Sequence, residues 1–449
     1  MRRIPKSHCS RLIPHVLASL VLSLTFVRAL WAASERVLYR FHGKDGKVPG
    51  SVVFGPDGAL YGTAGEGGTN GCLSQGCGVV FRLAKGTDGK WHESVLHNFD
   101  GSDGWFPEGP LVADKAGNLY GTTFYGGPNG CSGLGCGVAF ELVRVTSVKW
   151  TYKILHLFFQ QQGDGLQPST GMIFDSKGDL YGTTSGGGNF NFCMGGCGVV
   201  FKLAPDSEEN WTESVLYTFG SQVNDAAVPV APLIFDSAGR LHGTTEWGGD
   251  DASGAVFKLS PKKNGQWADE VLHSFSSYTR DGSNPVYGLT FDSVGNLYGT
   301  TINGGTKGQQ GWGIAFKLVR EAHGGWKETI LRTFDEHKAE GGNPTSALVL
   351  DAAGNLYGAA ESGGRFACYG SGGLGCGVVF KLTPRGNGTW SETVLHSFGR
   401  GNDGSYPGGD LVFDSSGNIF GATAAGGYFG GACGKGGGIG CGVVFEITP

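Results

Sequence analysis

A short segment reading LYGTT, or a close variant of it, occurs seven times along this chain of 449 residues. Its second residue is aromatic or histidine in every copy, and the copies follow one another at intervals of 56 to 63 residues. These second residues are Tyr61, Tyr120, Tyr181, His242, Tyr298, Tyr357 and Phe420. Repetition at such a period predicts a fold in which each unit buries its apolar surface against its neighbours.

Each repeat reads as four short strands joined by turns. In residues 345–398, the apolar segment SALVLD precedes an AAG turn, the strand NLYGAA and a long glycine-rich loop, and GVVFKL, a polar loop and the strand VLHSF follow. Aspartate followed three residues later by glycine is typical of a turn, because aspartate caps its own backbone and glycine accepts a positive φ. The strand segments are rich in β-branched and aromatic residues, as strands prefer.

Charge along the repeat predicts the radial order of the four strands. The first strand carries almost no charge before its closing acidic residue, the third has one charged residue at a fixed position, and the fourth follows a polar loop. A strand against a central axis is expected to be buried on both faces, whereas a rim strand meets water. The strands should therefore run from centre to rim in sequence order.

The two ends of the repeat region predict a closed ring. Residues 37–41 read as a fourth strand, and residues 442–447 read as a third strand. An open solenoid or two packed sheets would leave incomplete units, whereas in a ring the first strand completes the last blade. We therefore predict a single all-β domain over residues 35–449, a seven-bladed β-propeller with four antiparallel strands in each blade.

The repeated GVVFKL motif and the GNLYGTT motif with its following Gly-Gly resemble those of the GloVer tandem-repeat proteins, a secreted bacterial family. The resemblance covers nearly all of residues 35–449. It implies export and a propeller-like repeat fold, and it implies no particular activity.

Residues 1–33 are typical of a signal peptide rather than of a buried N-terminal helix. Arg2, Arg3 and Lys6 precede an apolar run at residues 16–27, and Ala32-Ala33 offers small residues for cleavage. The apolar run is too short for a comfortable membrane span. We therefore expect a secreted or periplasmic protein.

Charge restricts the class of partner. Cleavage after residue 33 removes five basic residues and no acidic ones, which takes the formal net charge from −5 to about −10. A negative surface repels nucleic acid and anionic membranes. We expect no nucleic-acid partner, no membrane insertion, no cofactor and a monomeric chain.

Ten cysteines besides Cys9 form five local pairs, all in the glycine-rich loop before the third strand. The pairs are Cys72 with Cys77, Cys131 with Cys136, Cys193 with Cys197, Cys368 with Cys376, and Cys433 with Cys441. Cysteines that are present or absent in pairs, in an exported chain, favour disulfides. Zinc is the alternative, but two blades would have to share each ion and no histidine recurs beside the pairs.

Two kinds of loop emerge at the same end of a four-stranded meander: the second-to-third loop, which holds the cysteines, and the fourth-to-first loop. We call this end the disulfide-loop face. The fourth-to-first loop carries an acidic turn such as DGWFP in every repeat, beginning at Asp45, Asp103, Asp164, Asp225, Asp281, Glu340 and Asp403. Seven carboxylates around an axis could bind calcium, but turn formation by Asp-Gly and Pro is the simpler interpretation. We predict no metal site.

Most tryptophans mark packing. Six of them occupy one repeat position before the fourth strand, namely Trp91, Trp150, Trp211, Trp267, Trp326 and Trp390. Trp105, Trp247 and Trp312 belong to no repeat position, and all three fall on the disulfide-loop face. Such rings can stack on a sugar or another flat ligand, although local loop packing explains them equally well. We treat them as candidate ligand-binding residues.

The two residues after LYGTT vary from blade to blade, so specificity is expected to reside there. They include Tyr125, Glu246 and Glu361, which join the candidate ligand-binding residues, and Glu66. Glu66, Glu246 and Glu361 are also candidate catalytic residues, because glycoside cleavage needs two carboxylates at a set separation. His97, His156, His273 and His396 share one fourth-strand position and are predicted to be structural.

Three functions compete. The leading hypothesis is an extracellular binding or interaction module that takes a carbohydrate or another small polar ligand on the disulfide-loop face. A glycoside hydrolase or a polysaccharide or lactone lyase is the second, because propellers host both. A structural envelope component is the third. The sequence contains no serine-nucleophile elbow, phosphate loop or HExxH helix.

Overall fold

The computed structural model describes residues 33–449 except residues 70, 129, 160–162, 191–192, 209, 307–310, 336–338, 369–373 and 434–438. The predicted signal peptide lies, apart from Ala33, outside the described residues. The described residues form the predicted all-β propeller of seven antiparallel blades, and the sheet of the sixth blade has one short strand in addition to its four. No helix among the described residues is long and apolar enough to cross a membrane.

The four strands of each blade recur with similar bounds. The first strands are Lys47–Phe54, Val112–Ala113, Ile173–Phe174, Ile234–Phe235, Thr290–Phe291, Val349–Leu350 and Ser405–Phe413. The second strands are Leu60–Glu66, Leu119–Thr123, Leu180–Thr184, Leu241–Thr245, Leu297–Thr301, Leu356–Ser362 and Ile419–Ala425. The third strands are Val79–Lys85, Val138–Arg144, Val199–Pro205, Ala255–Pro261, Ile314–Arg320, Val378–Pro384 and Val443–Thr448. The fourth strands are Trp91–Asn98, Trp150–Leu157, Trp211–Thr218, Trp267–Ser274, Trp326–Thr333, Trp390–Ser397 and Ser34–Arg40.

Shorter elements decorate the disulfide-loop face. Two-residue strands pair Gly165–Leu166 with Gly186–Gly187, Ala226–Ala227 with Trp247–Gly248, and Gly282–Ser283 with Asn303–Gly304. Gly342–Pro344 pairs with the second strand of the sixth blade. Single 3₁₀ turns span Cys131–Gly133 and Gly431–Cys433.

The strands pair in sequence order in each blade, and the ring closes as predicted. Ser34–Arg40 runs antiparallel to Val443–Thr448, so that Val37 faces Phe445. Arg36 and Glu446, which are also opposite each other, form an ion pair with 3.0 Å between Nη2 and Oε2. The N-terminal strand therefore supplies the rim of the seventh blade.

A glycine–phenylalanine pair organises the core of every blade. Gly62 lies opposite Phe81 on the neighbouring strand, and a Cβ added to Gly62 would lie 2.6 Å from Phe81 Cζ. The Phe81 side chain is fully buried. Equivalent glycines in the other six blades would place a Cβ within 2.5 to 2.7 Å of their phenylalanines. The glycine of LYGTT is therefore required for the ring of the third strand to pack flat on the second.

The repeated tryptophans are packing residues, as predicted, and the structure places their contacts between blades. The Trp150 ring lies 5.9 Å from the Tyr61 ring of the preceding blade, and Trp211 lies 6.0 Å from Tyr120. The closing junction follows the same rule, because Trp91 lies 6.3 Å from Phe420 of the seventh blade. Each contact joins the start of a rim strand to the aromatic residue of LYGTT.

The burial expected of the first strand is wrong. Val112–Ala113, Ile173–Phe174 and Ile234–Phe235 are only partly buried, whereas the second strands Leu119–Thr123 and Leu180–Thr184 are wholly buried. The first strands surround the ring axis, and open space along that axis leaves part of their surface accessible to solvent. The apolar core lies between blades rather than on the axis.

All five cysteine pairs form the predicted disulfides, with Cα atoms 4.9 to 5.3 Å apart. The zinc alternative for these residues is therefore wrong. The second cysteine of each bridge is buried, and it lies two residues before the third strand. The bridges join Cys72 to Cys77, Cys131 to Cys136, Cys193 to Cys197, Cys368 to Cys376, and Cys433 to Cys441. Five disulfides are typical of a protein that works in an oxidising extracellular or periplasmic setting.

Candidate ligand site on the ring axis

A strained backbone position sets the geometry of each junction between blades. Phe106, which precedes the proline of its acidic turn, has a φ of +61°, and its N–H donates to the Cys77 carbonyl of the preceding blade over 3.1 Å. The equivalent residues also have positive φ and donate to the preceding blade, and they are Val48, Gln167, Val228, Asn284, Asn343 and Tyr406. This conformation is uncommon for residues with a Cβ. It turns the chain inward, so that the residues after each proline reach the axis.

Disulfides hold the acceptors of most of these hydrogen bonds. In five of the seven junctions the acceptor is the carbonyl oxygen of the second cysteine of a bridge, namely Cys77, Cys136, Cys197, Cys376 or Cys441. In the other two junctions, Ser253 and Trp312 occupy that place. The bridges therefore fix the loop that positions the inward turn of the next blade.

The residues after these prolines enclose a cavity of about 440 Å³. Its walls come from six of the seven blades, which places it on the ring axis. Representative wall residues are Ser51, Glu108, Thr170, Val230, Tyr287 and Gly409. The volume falls within the range of about 300–1,000 Å³ that is usual for small-ligand pockets.

The wall combines apolar surface with carboxyl groups. Phe106 and Phe124 contribute rings, and Val230 and Val286 contribute aliphatic surface. Glu108, Glu246 and Asp410 contribute the acidic groups. A concave apolar wall with a few convergent polar groups is the usual composition of a ligand site.

The carboxyl groups of the pocket resist ionisation. The surrounding protein atoms raise the pKa of Glu108 to about 7 by excluding water from its carboxyl group, although the residue as a whole is exposed. Burial also raises the pKa of Glu246. The pKa of Asp410 is raised by burial in spite of a hydrogen bond that the Ala347 N–H donates to Oδ1 over 2.9 Å. A carboxyl group that is protonated for part of the time can both donate and accept hydrogen bonds.

Tyr287 shows how closely these acids converge. Burial is the main reason that its pKa is raised, and the charges of Glu361, Asp410 and Glu108 raise it further. These three residues come from the sixth, seventh and second blades, so the axial region gathers acidic groups from around the ring.

The structure separates the three glutamates that the sequence singled out. Glu246 lines the axial pocket. Glu361 does not line it, but its charge adds to burial in raising the pKa of the wall residue Tyr287 and of Tyr406. Glu66 is engaged elsewhere, because its Oε2 lies 2.6 Å from Nζ of Lys47.

The candidate aromatic residues do not gather in the axial pocket. Trp105 and Tyr125 pair with each other through two backbone hydrogen bonds, and their rings lie 5.2 Å apart. Trp312 packs against an apolar cluster between blades. Trp247 remains 49 % exposed on the fourth blade. Ligand binding by these four residues stays a prediction, and Trp247 is the most exposed of the four.

Sequence reasoning missed Glu108, Tyr287 and Asp410. All three follow the proline of an acidic turn, at positions whose residues differ between blades. The variability that drew attention to the residues after LYGTT is present there too. Both variable segments therefore contribute to the wall of the pocket.

The fourth-strand histidines contact the acidic turns. His97 Nε2 lies 2.8 Å from Asp103 Oδ2, and Asp103 Oδ1 accepts a hydrogen bond from the Asp100 N–H. The carboxylate thus holds its own turn and the rim strand together. Equivalent pairs are His156–Asp164, Tyr217–Asp225, His273–Asp281, Arg332–Glu340, His396–Asp403 and Tyr39–Asp45.

Comparison with known sequences agrees with the repeat architecture. The sequence model of the Gloeobacter/Verrucomicrobia repeat family matches residues 25–234 and 132–374. The chain belongs to this family. A search of curated proteins found no matching sequence.

Solved structures resemble this family member in fold. A putative oxidoreductase (glucose dehydrogenase) from Thermus thermophilus is 13 % identical with a TM-score of 0.40, and the match covers 93 % of this chain and 100 % of that one. A luciferin-regenerating enzyme is 11 % identical with a TM-score of 0.42, and the match covers 93 % and 95 % of the two chains. Likeness at this level supports no statement about this chain.

Proposed function

We propose that this chain is an exported binding module whose axial pocket takes a sugar residue or a similarly small polyhydroxylated ligand. The observation that carries the proposal is the composition of the pocket, in which Glu108, Glu246 and Asp410 face apolar and aromatic wall residues. Sugars present both hydroxyl groups and apolar C–H faces. Carboxyl oxygens can accept hydrogen bonds from the hydroxyls while rings pack against the C–H faces.

The acidic wall predicts which sugars bind. A uronic acid would bring another carboxylate among Glu108, Glu246 and Asp410. Whichever of these groups is ionised would repel it, and the same burial would make its own charged form costly. Neutral sugars and amino sugars avoid this repulsion. The experiment is a saturation-transfer NMR screen of the mature chain against neutral, amino and acidic saccharides, supported by a glycan array. Binding of neutral or amino sugars is expected, and binding of uronic acids alone would contradict the proposal.

Glycoside hydrolysis is a second candidate, and Glu108 is the observation that favours it. Its raised pKa, about 7, would keep the carboxyl group partly protonated at neutral pH, as a general acid requires. Glu246 or Asp410 in the same pocket would then serve as the second carboxylate. Turnover of an oligosaccharide that is lost in Glu108→Gln, with binding retained, would support this activity. Absence of turnover in the wild-type chain would leave the binding function standing alone.

A further inference from the structure

A histidine and two carboxylates from two blades meet at the junction of the second and third blades. His156 belongs to the fourth strand of the second blade, Asp164 to the following acidic turn, and Glu213 to the fourth strand of the third blade. Each offers one ligand atom, and the three atoms all lie within 4.8 Å of one another. We call this set the His156 cluster.

The His156 cluster is shielded from solvent. The Asp164 side chain is fully buried, and the His156 side chain is 14 % exposed. His156 Nε2 is buried, lies 3.4 Å from Asp164 Oδ2 and makes no hydrogen bond within the described part of the chain. A buried imidazole nitrogen that makes no hydrogen bond and lies within 4.8 Å of two carboxylates has the placement of a metal ligand.

Another junction shows what such a position accommodates. Between the fifth and sixth blades, Arg332 stands where His156 stands, and its guanidinium forms ion pairs with both Glu340 and Glu392. The chain itself thus supplies a permanent cation between two acids there. At the equivalent position, His156 offers an imidazole nitrogen, and an imidazole nitrogen can bind a metal cation that takes the place of the guanidinium.

The same constellation recurs two junctions further on. His273, Asp281 and Glu328 also gather their ligand atoms within 4.8 Å, and here His273 Nε2 forms a hydrogen bond with Asp281 Oδ2 over 3.1 Å, which a metal ion would replace. We call this set the His273 cluster. Among the described residues, these two junctions alone bring three such groups this close.

We propose that the His156 and His273 clusters are two divalent-cation sites that favour zinc and join neighbouring blades at the rim. One imidazole nitrogen and two carboxylate oxygens form a donor set that suits zinc better than calcium, which prefers oxygen ligands alone. Such an ion would also neutralise the two carboxylates. Because each cluster draws ligands from two blades, bound metal would stabilise the ring by mass action.

The test is calorimetric titration of the chelator-treated mature chain with zinc chloride and, separately, calcium chloride. The chain provides its own control substitution, because Tyr217 occupies the His156 position at the junction with Asp225 and Asp269. His156→Tyr and His273→Tyr therefore introduce a residue that this fold already accepts. We expect two zinc ions per wild-type chain, one in each single variant and none in the double variant. Calcium should bind at least tenfold more weakly.

Thermal melting gives a readout independent of the titration. Zinc should raise the melting temperature of the wild-type chain by roughly 2 °C or more and leave that of the double variant unchanged. Glu213→Gln, which keeps the side-chain shape, should weaken zinc binding at the His156 cluster at least tenfold. A wild-type chain that takes up no zinc, a double variant that still binds two ions, or equal affinity for calcium would overturn the proposal.

Discussion

Gly442 of the seventh blade lies against Pro49 of the first: a Cβ added to Gly442 would be 2.5 Å from Pro49 Cδ. Glycine and proline meet in the same way at the other six junctions, where the corresponding separations are 2.4 to 2.7 Å. Six junctions join repeats that follow each other in sequence. The seventh joins the two ends of the repeat region and has the same geometry. The junction that closes the ring is therefore equivalent to the other six.

Gly442→Ala should therefore open this junction. The new methyl group would meet the Thr423 carbonyl oxygen at 2.2 Å as well as Pro49, and Gly442 has a φ of +90°. Gly417→Ala is the matched control, since its φ is +84° but nothing lies within 4 Å of an added Cβ. Positive φ alone costs about 1–2 kcal/mol, and overpacking adds about 1–3 kcal/mol. Equal losses of unfolding free energy in the two variants, measured in urea, would show that the contact does not matter.

Deletion of residues 35–41 should lower the melting temperature sharply or make the chain insoluble. The deletion removes the strand that pairs with Val443–Thr448, exposes an open edge and takes away Phe41, which is fully buried. Arg36→Ala tests the surface ion pair alone and should cost less than about 1 kcal/mol. Unchanged melting of the deletion variant would argue against closure through this strand.

Val48→Asn should stabilise the chain. Val48 has a φ of +58°, which is unfavourable for a β-branched residue and better tolerated by asparagine. Asn284, at the equivalent position of another blade, also donates from Nδ2 to the Glu246 carbonyl over 3.2 Å. We expect a gain of about 0.5–1.5 kcal/mol in unfolding free energy. Val48→Thr keeps the β-branch and should give no such gain; if both variants behave alike, strain at this position is not the cause.

The chain should be more stable at pH 5 than at pH 8.5. Burial and the Asp45 charge raise the pKa of Glu93 to about 8, so the folded state binds a proton that the unfolded state releases above its ordinary pKa of 4.5. The corresponding stability is present below pH 4.5 and is lost as the pH rises through 8. Burial and nearby acidic charge likewise raise the pKa of Asp269 to about 7.

Glu93→Gln isolates this effect by thermal melting across pH. The variant should lose roughly 1–3 kcal/mol of the pH dependence between pH 5 and 8.5. Comparison of the variant with the wild-type chain cancels the contributions of groups that make the chain more stable as the pH rises. His242 is such a group, because burial lowers its pKa. Glu208→Gln, on the exposed surface, serves as the control. Parallel pH curves for Glu93→Gln and the wild-type chain would disprove the assignment to Glu93.

Local features of the sequence were sufficient for the fold. Strand segments, turns and the five disulfides all depend on residues close together in the chain, so the repeat displays them directly. Ring closure also followed, because the strand types at the two ends are complementary. The partial exposure of the first strands did not follow from the sequence, because it depends on the width of the axial cavity.

The candidate site was harder to predict because its residues are remote in sequence. Glu108 and Asp410 come from the second and seventh blades, and nothing in either segment shows that both side chains reach the axis. The sequence shows that Trp105 and Trp312 occupy no repeat position. Whether such a ring faces a ligand or a neighbouring loop depends on packing. The His156 cluster likewise exists only because two adjacent blades contribute to one junction.

The most direct test of ligand binding on the axis is the dissociation constant of a saccharide hit in a chain whose pocket has been filled. Gly408 lines the pocket, nothing lies within 4 Å of a Cβ added there, and its φ is not positive. Gly408→Phe should therefore fold normally and weaken binding at least thirtyfold. Gly386→Phe has the same free space on the opposite face and should leave the dissociation constant within twofold of wild type. Undiminished binding of the saccharide to folded Gly408→Phe would contradict the axial site. If Trp247→Ala raised the dissociation constant instead, the ligand would lie on the loops around Trp247.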